Sequence, residues 1–354
     1  MNKNKITNKK NIVIRLSSIG DIILISGVLD YWNKQNQTKF TVITKSGFAC
    51  LLKNHPAIEN IIELNTTQLN FIQLIKTFYT LASQYKQYIL IDLHCNLRTF
   101  LLKIFWKNKI QNYAKFSKER KTFLKNKNDI QVKSLLNKYT IPQRYALALT
   151  NNTPENNKLL PQLFLTDQET ARGKKLLAET IEKTFKIDSV SEKNIKVVAI
   201  HPYASYQPKA WHKEHWEKLV QLLDAAKIPW VCIGRNKDKF FNTTNDLTNL
   251  LDLRESAALL KACTLFITPD SGPMHLARAV KTPLIGLFGP TVKEWGFYPD
   301  ESEGLVLETD LACRPCSLHG KKPCKLPKEE NCMFKITPER VFENILKILN
   351  KNSL

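Results

Sequence analysis

Apolar residues in this chain gather in two patterns that alternate along it. Short runs rich in Ile, Val and Leu, at residues 11–16, 40–44, 58–64 and 88–93, are bounded by turn residues and read as buried strands. Between and after them, residues 22–33 read as a helical pattern, and 71–83 and 98–106 have the periodicity of a helix with one buried face. Residues 151–161 interrupt the pattern with Thr-Pro, Asn-Asn and Leu-Pro and read as a linker. The alternation then restarts. A helix is predicted over 166–185, with Thr166 or Asp167 as its cap. Strands follow at 196–200, 230–233, 265–268 and 284–288, and helices at 215–226, 256–262 and 274–280. A last helix over 338–349 opens with Pro338, a residue suited to the first turn.

Strands alternating with helices imply βαβ units and mostly parallel sheets, so the fold class is α/β. Two successive runs in 354 residues imply two domains. The expected division is an amino-terminal domain over 1–165, a second over 166–337 and a terminal helix over 338–354. No apolar run approaches the ~20 residues of a membrane-spanning helix. The basic first ten residues lead into a strand, not into the longer apolar core of a secretory signal. The expectation is a cytoplasmic protein with reduced thiols.

Charge changes this picture. Of the net +21, residues 1–150 carry +17, from 24 Lys and Arg against 7 Asp and Glu. Such asymmetry suits a partner rich in phosphate or carboxylate: nucleic acid, an anionic membrane surface or an acidic glycolipid. An AT-rich genome favouring Lys and Asn codons would explain an overall excess, but less well its confinement to one half. No RRM-type aromatic motif, helix-turn-helix signature or interleaving of basic and aromatic residues is present, so no nucleic-acid partner is expected.

Four stretches carry candidate chemistry. In Asp270-Ser-Gly-Pro-Met-His275 a strand ends, a small-residue turn follows and a helix begins, which favours an anion. Ser271 and Gly272 admit a diphosphate, His275 could donate to it, and Asp270 could hold a sugar hydroxyl; the plainer reading is a cap and a core histidine. His201 to Trp211 also links a strand to a helix, with Ser205 near phosphate and Lys209 as a mobile ammonium. Ser17-Ser-Ile-Gly-Asp21 is neither a dinucleotide fingerprint nor a P-loop; Asp21 is a helix cap or a general base. Cys313, Cys316, Cys324 and Cys332 have the spacing of a structural zinc knuckle, with a redox-sensitive pair or plain reduced thiols as alternatives.

Taken together these motifs resemble glycosyltransferase family 9, the ADP-heptose:lipopolysaccharide heptosyltransferases. The resemblance rests on Val13 to Asp21, Ile91-Asp-Leu-His94 with Asn96-Leu-Arg98, His201 to Trp211, Pro269 to His275, and Leu287-Phe-Gly-Pro-Thr291, with the Cys313-x-x-Cys316 and Cys332-Met333 tail. It implies a GT-B architecture, two Rossmann-like domains facing across a cleft, and inverting transfer without a metal cofactor. The implied donor is ADP-L-glycero-D-manno-heptose, held by Ser205, Lys209, Leu251, Asp270, Ser271, Gly272 and His275. The implied acceptor is Kdo or heptose on lipid A, with Asp21 as base. Arg98, Lys103, Lys115 and Arg120 are the cations expected to meet it, at the cytoplasmic face of the inner membrane. Two departures stand out. Residues 22–29 replace the family's usual Thr-Pro-Ala-Leu segment, and Gly-Arg-Asn-Lys-Asp238 is basic where a carboxylate often meets the ribose; Asp238 is the substitute there. A related transferase using another nucleotide sugar is the alternative.

Overall fold

The computed structural model describes residues 10–65, 70–187 and 195–351. In chain order its first part runs β1 (Asn11–Ile14), α1 (Ile19–Asn36), β2 (Phe40–Lys45), α2 (Ser46–Ala49), β3 (Ile58–Leu64), α3 (Phe71–Gln84), β4 (Ile89–Asp92), α4 (Leu97–Phe105), β5 (Ile110–Asn112), α5 (Ser117–Lys125), α6 (Ile130–Asn137) and α7 (Ile141–Ala146). The second part runs α8 (Asp167–Phe185), β6 (Val198–Ile200), α9 (Lys213–Ala225), β7 (Trp230–Cys232), α10 (Leu253–Ala262), β8 (Leu265–Pro269), α11 (Gly272–Ala279), β9 (Leu284–Phe288), β10 (Gly304–Glu308) and α12 (Pro338–Lys351). No helix among the described residues is long and apolar enough to cross a membrane.

The chain divides into two compact units. The first holds residues up to Ser117 and Lys138–Phe164; the second holds Lys118–Asn137 and Leu165 onward. The main division falls between residues 164 and 165. The 20-residue excursion Lys118–Asn137 leaves the first unit, because α5 and α6 pack within the second. There Phe123 stacks edge-on against Trp295, and Lys127 Nζ donates to the Ala312 carbonyl at 2.8 Å.

The first unit is a five-stranded sheet in the order β3-β2-β1-β4-β5, and every pair is parallel. Central strand β1 is buried along its whole length, which is why it reads as an unbroken apolar run. Leu74, Phe78 and Leu81 of α3 and Leu102 of α4 join Ile12, Ile14 and Leu16 in one core. Helix α1 is buried almost all round and packs against α7. At Gly27 a Cβ would stand 2.2 Å from the Leu160 carbonyl oxygen, so only glycine lets that segment cross the helix.

The second unit is also a parallel five-stranded sheet, but in the order β10-β9-β8-β6-β7. Trp216, Leu219 and Leu223 of α9 and Val341, Ile345 and Leu349 of α12 pack with Val198, Ile200 and Ile267 in its core. Helices α8 and α10 press together, with Gly173 against the Ala258 backbone. Pro338 opens α12, as its sequence position predicts.

Candidate functional site

Ligands of open parallel sheets bind beyond the carboxyl ends of the strands, where the strand order reverses and neighbouring loops diverge. In the first unit that reversal lies between β1 and β4; in the second it lies between β6 and β8. The loops leaving these four strands hold most of the residues singled out by sequence.

In the first unit, the turn after β1 folds around Asp21. Its Oδ2 accepts from the Ser18 amide at 3.2 Å and the Ser18 hydroxyl at 2.9 Å, closing a capping box at the start of α1. The same oxygen lies 2.6 Å from Arg15, and Oδ1 accepts from the Tyr145 hydroxyl at 2.6 Å. Arg15 also donates to the Ser17 carbonyl at 2.7 Å and to the Leu93 carbonyl at 2.5 Å, tying the β1 loop to the β4 loop. Its guanidinium lies 5.4 Å from the centre of the Tyr145 ring. Burial pushes the Asp21 carboxyl up, but Arg15 and the Tyr145 and Ser18 donors outweigh it and hold the group below its ordinary value of 3.8. Asp21 is therefore a cap of α1 and an ionised carboxylate at once.

After β4, Asp92 is fully buried. Its Oδ1 accepts from the His94 and Cys95 amides at 2.9 and 2.8 Å, and Lys103 lies 2.7 Å from Oδ2. Burial, followed by the charge of Arg15, lowers His94 to about 4. The expected acceptor cations separate on this evidence of placement. Arg98 is exposed at the start of α4. Lys103 instead neutralises Asp92 and donates to Asn112 at 2.6 Å, because a carboxylate buried this deeply needs a cation. Lys115 donates to the Cys95 carbonyl at 3.1 Å. Arg120 is buried and belongs to the second unit, on α5.

In the second unit, the loops after β6 and β8 bring Lys209 and Asp270 together. Lys209 Nζ lies 2.5 Å from Asp270 Oδ2 and donates to the Asp270 carbonyl at 3.2 Å. Thr291, in the loop after β9, donates to the same Oδ2 at 2.8 Å. Helix α11 begins beside them at Ser271. The Ser271 hydroxyl pairs with Thr268 at 3.0 Å and makes no side-chain cap, so the first amides of α11 keep no capping partner from it. Gly272 takes the first helical position. His275 is buried, packs near Phe297, and its Nδ1 accepts from Arg278 at 3.0 Å, which leaves the proton on Nε2.

Other expected donor residues lie near the ends of β6 and β7. Ser205 is exposed in the β6 loop, and Leu251 is half-buried just before the Asp252 cap of α10. The Gly234–Asp238 turn is tied to the segment before Leu251: the Asn236 amide donates to Asn249 at 3.0 Å, and Asn249 donates to the Asn236 carbonyl at 2.7 Å. Asp238 itself is exposed.

The cysteine segment lies against the loops after β6 and β9, and the electrostatic influence of Cys313, Cys332 and Cys324 on Cys316 shows the four thiols near one another. Among the described residues, no group of three or more His, Cys, Asp or Glu side chains is arranged to hold a metal ion. Cys324 is exposed while Cys332 is buried, facing the place where a Cβ on Gly289 would stand. Burial, then the neighbouring Cys313, pushes Cys316 up to about 12, and burial pushes Cys332 up to about 11. The segment braces the Lys209–Asp270 loops. Arg314 donates to the Gly289 carbonyl at 2.5 Å and to the Thr291 carbonyl at 2.9 Å, and the Cys316 amide donates to the Pro290 carbonyl at 3.3 Å. Gly320, at φ +73°, sits so close to Lys209 that a Cβ would stand 2.6 Å from its Cγ.

Tyr145, Thr291 and Arg314 were not anticipated in these roles. Thr291 lies within a motif legible in the sequence, and Arg314 lies inside Cys-Arg-Pro-Cys. Nothing local marks Tyr145, which reaches Asp21 across 124 residues.

Residues 117–326 match the model of glycosyltransferase family 9 (heptosyltransferase). Lipooligosaccharide heptosyltransferase 2 of Campylobacter jejuni is 29% identical over 173 residues, which are 45% of this chain and 53% of that protein. The chain spans about half the length of the curated relatives it matches. Among solved structures, a family 9 glycosyltransferase from Veillonella parvula superposes with a TM-score of 0.72 at 17% identity, covering 97% of each chain. The Escherichia coli ADP-heptose LPS heptosyltransferase II gives a TM-score of 0.66 at 20% identity, covering 98% of this chain and all of that one. These structures share the two-sheet α/β fold of the GT-B class. With well over half its length matched by the family model, the chain belongs to glycosyltransferase family 9, the heptosyltransferase family.

Proposed function

We propose that the protein transfers heptose, with inversion, from ADP-L-glycero-D-manno-heptose to the inner core of lipopolysaccharide, at Kdo or heptose on lipid A. The observation that carries this reading is the Lys209–Asp270–Thr291 group beside the open start of α11. A diphosphate favours a cation beside a helix start; Lys209 is the cation, and Ser271 makes no side-chain cap on α11. Lys209 and Thr291 both engage Oδ2 of Asp270, and Oδ1 is the oxygen to accept a heptose hydroxyl.

In this reading the acceptor hydroxyl gives its proton to the Asp21 carboxylate as its oxygen bonds to the anomeric carbon. The bond from that carbon to the β-phosphate oxygen breaks, and its electron pair leaves with ADP. Charge grows on the diphosphate, so the ammonium of Lys209 and the amides of Gly272, Met274 and His275 contribute most where that charge appears. Asp21 must exchange its bond to Arg15 or Tyr145 for one to the acceptor, because both oxygens are already engaged. Ser205 and Leu251 serve the phosphate and the adenine, and Arg98 is the surface cation best placed by exposure for acidic acceptor groups. A lipid-linked acceptor puts the working protein in the cytoplasm, peripheral to the inner membrane.

A second reading, transfer of another nucleotide sugar, is favoured by the exposed basic turn Arg235–Asp238 beside the segment leading to Leu251. A panel of ADP-, GDP-, UDP- and TDP-sugars with Kdo–lipid A separates the two. Release of ADP from ADP-heptose alone is expected. Turnover confined to another nucleotide would transfer the assignment to the second reading, and no turnover of any donor would end both.

A further inference from the structure

We propose that the outer face of α3 and α4 is a docking surface for an anionic lipid bilayer. The two helices pack side by side, with Tyr79 edge-on to Phe105 at 5.8 Å. Each turns one stripe into the sheet, Leu74, Phe78 and Leu81 on α3 and Leu102 on α4. Both helices also carry apolar side chains that face solvent, on α4 opposite the buried residue and on α3 along the flank of the buried stripe. On α4, Leu97, Phe100 and Ile104 recur at helical spacing and are 77%, 56% and 61% exposed. On α3, Phe71, Ile72 and Tyr79 are 65%, 64% and 63% exposed. An apolar surface this concentrated marks a contact.

Charge selects the occupant. Residues 65–118 hold eight Lys and Arg, and their single acidic residue, Asp92, is fully buried and paired with Lys103. Lys76, Lys86, Arg98, Lys107 and Lys109 are exposed around the apolar stripes. Apolar side chains within an all-basic surround match the acyl boundary and phosphate headgroups of an anionic leaflet. A second copy of this chain would set one basic face against another. A nucleic-acid strand would leave Leu97, Ile104 and Ile72 without bases to stack, since stacking needs aromatic rings.

The surface rests on the proposed lipid-linked acceptor for its purpose, though its observations are independent of catalysis. The test is sedimentation of the full chain with phosphatidylcholine vesicles, with and without phosphatidylglycerol. Binding is expected with phosphatidylglycerol and should weaken with salt. Leu97→Ser/Phe100→Ser/Ile104→Ser should lower the partition constant at least about tenfold. Each of Lys76→Gln, Lys107→Gln and Lys109→Gln should lower it by about fivefold. Undiminished vesicle binding in both sets overturns the proposal. So does a wild-type dimer, seen by light scattering, that the apolar substitutions dissolve. Turnover with a deacylated, water-soluble Kdo acceptor separates the two readings: the apolar variant should match wild type there. Absence of wild-type turnover would defeat the activity while leaving the vesicle result to stand.

Discussion

Helices α1 and α11 both begin where the strand order of their sheet reverses, but their first turns are finished differently. The start of α1 is filled from within by Asp21, which takes donors from Ser18, Arg15 and Tyr145. The start of α11 has no such plug. Ser271 turns its hydroxyl to Thr268, and the nearest carboxylate, Asp270, is occupied by Lys209 and Thr291. A helix start that supplies its own anion has little reason to bind another, whereas an uncapped one beside an ammonium does. In the proposed reading, this difference is the reason to place the diphosphate on the second unit and to take Asp21 of the first as the proton acceptor.

The largest expected effects come from removing one charged group from each end of this comparison. Lys209→Ala should lower turnover by roughly 100-fold or more and weaken ADP binding. Asp21→Asn should also lower turnover by about 100-fold or more, yet leave ADP affinity by calorimetry within about twofold. Equal loss of ADP affinity in both variants would erase the division of labour.

A smaller effect, on stability, should follow from Arg15→Met. It strands a buried carboxylate, and the expected cost is about 3–5 kcal/mol in urea unfolding. Because the folded Asp21 pKa is depressed, its contribution is complete above the unfolded value of 3.8 and is lost as pH falls through the folded value. Removing Arg15 raises the folded pKa, so acid unfolding should begin at higher pH. An unmoved acid transition would show that Ser18 and Tyr145 suffice to hold the carboxylate.

The smallest change sharpens the second unit alone. Thr291→Val removes one hydroxyl donor from Asp270 and should raise the donor KM by about fivefold, with little change in melting temperature. Thr291→Ser keeps the donor and should restore KM. If Val and Ser behave alike, the hydroxyl does not position Asp270.

Sequence legibility followed burial. Strands β1, β2, β4, β8 and β9 are continuous apolar runs because both faces are covered, and all were predicted within a few residues. Strand β10 was missed, since at this sheet edge only Leu307 is buried. Helices α5 and α6 were missed for the same reason: α5 buries Arg120 and Phe123, α6 buries Leu136, and Lys fills much of the rest. At the candidate site, loops following apolar strands were visible as small-residue turns. Their partners were not, because Tyr145 and Arg314 reach the loops through tertiary packing. The cysteine spacing was legible, but not that Cys332 is buried while Cys324 stays exposed.

The excursion of Lys118–Asn137 makes inheritance and synthesis follow different boundaries from the sheets. The stretch matched by the family model opens at residue 117, where α5 begins, and not at the crossing near 165. On the ribosome, α5 and α6 emerge about 170 residues before the Trp295 region that receives them, so they wait uncovered while the first sheet forms. A fragment cut at 165 would lack that pair of helices, and one cut at 117 would carry part of the first unit. The second unit is therefore no detachable cassette, and shuffling experiments within the family should exchange residues 118–137 along with it.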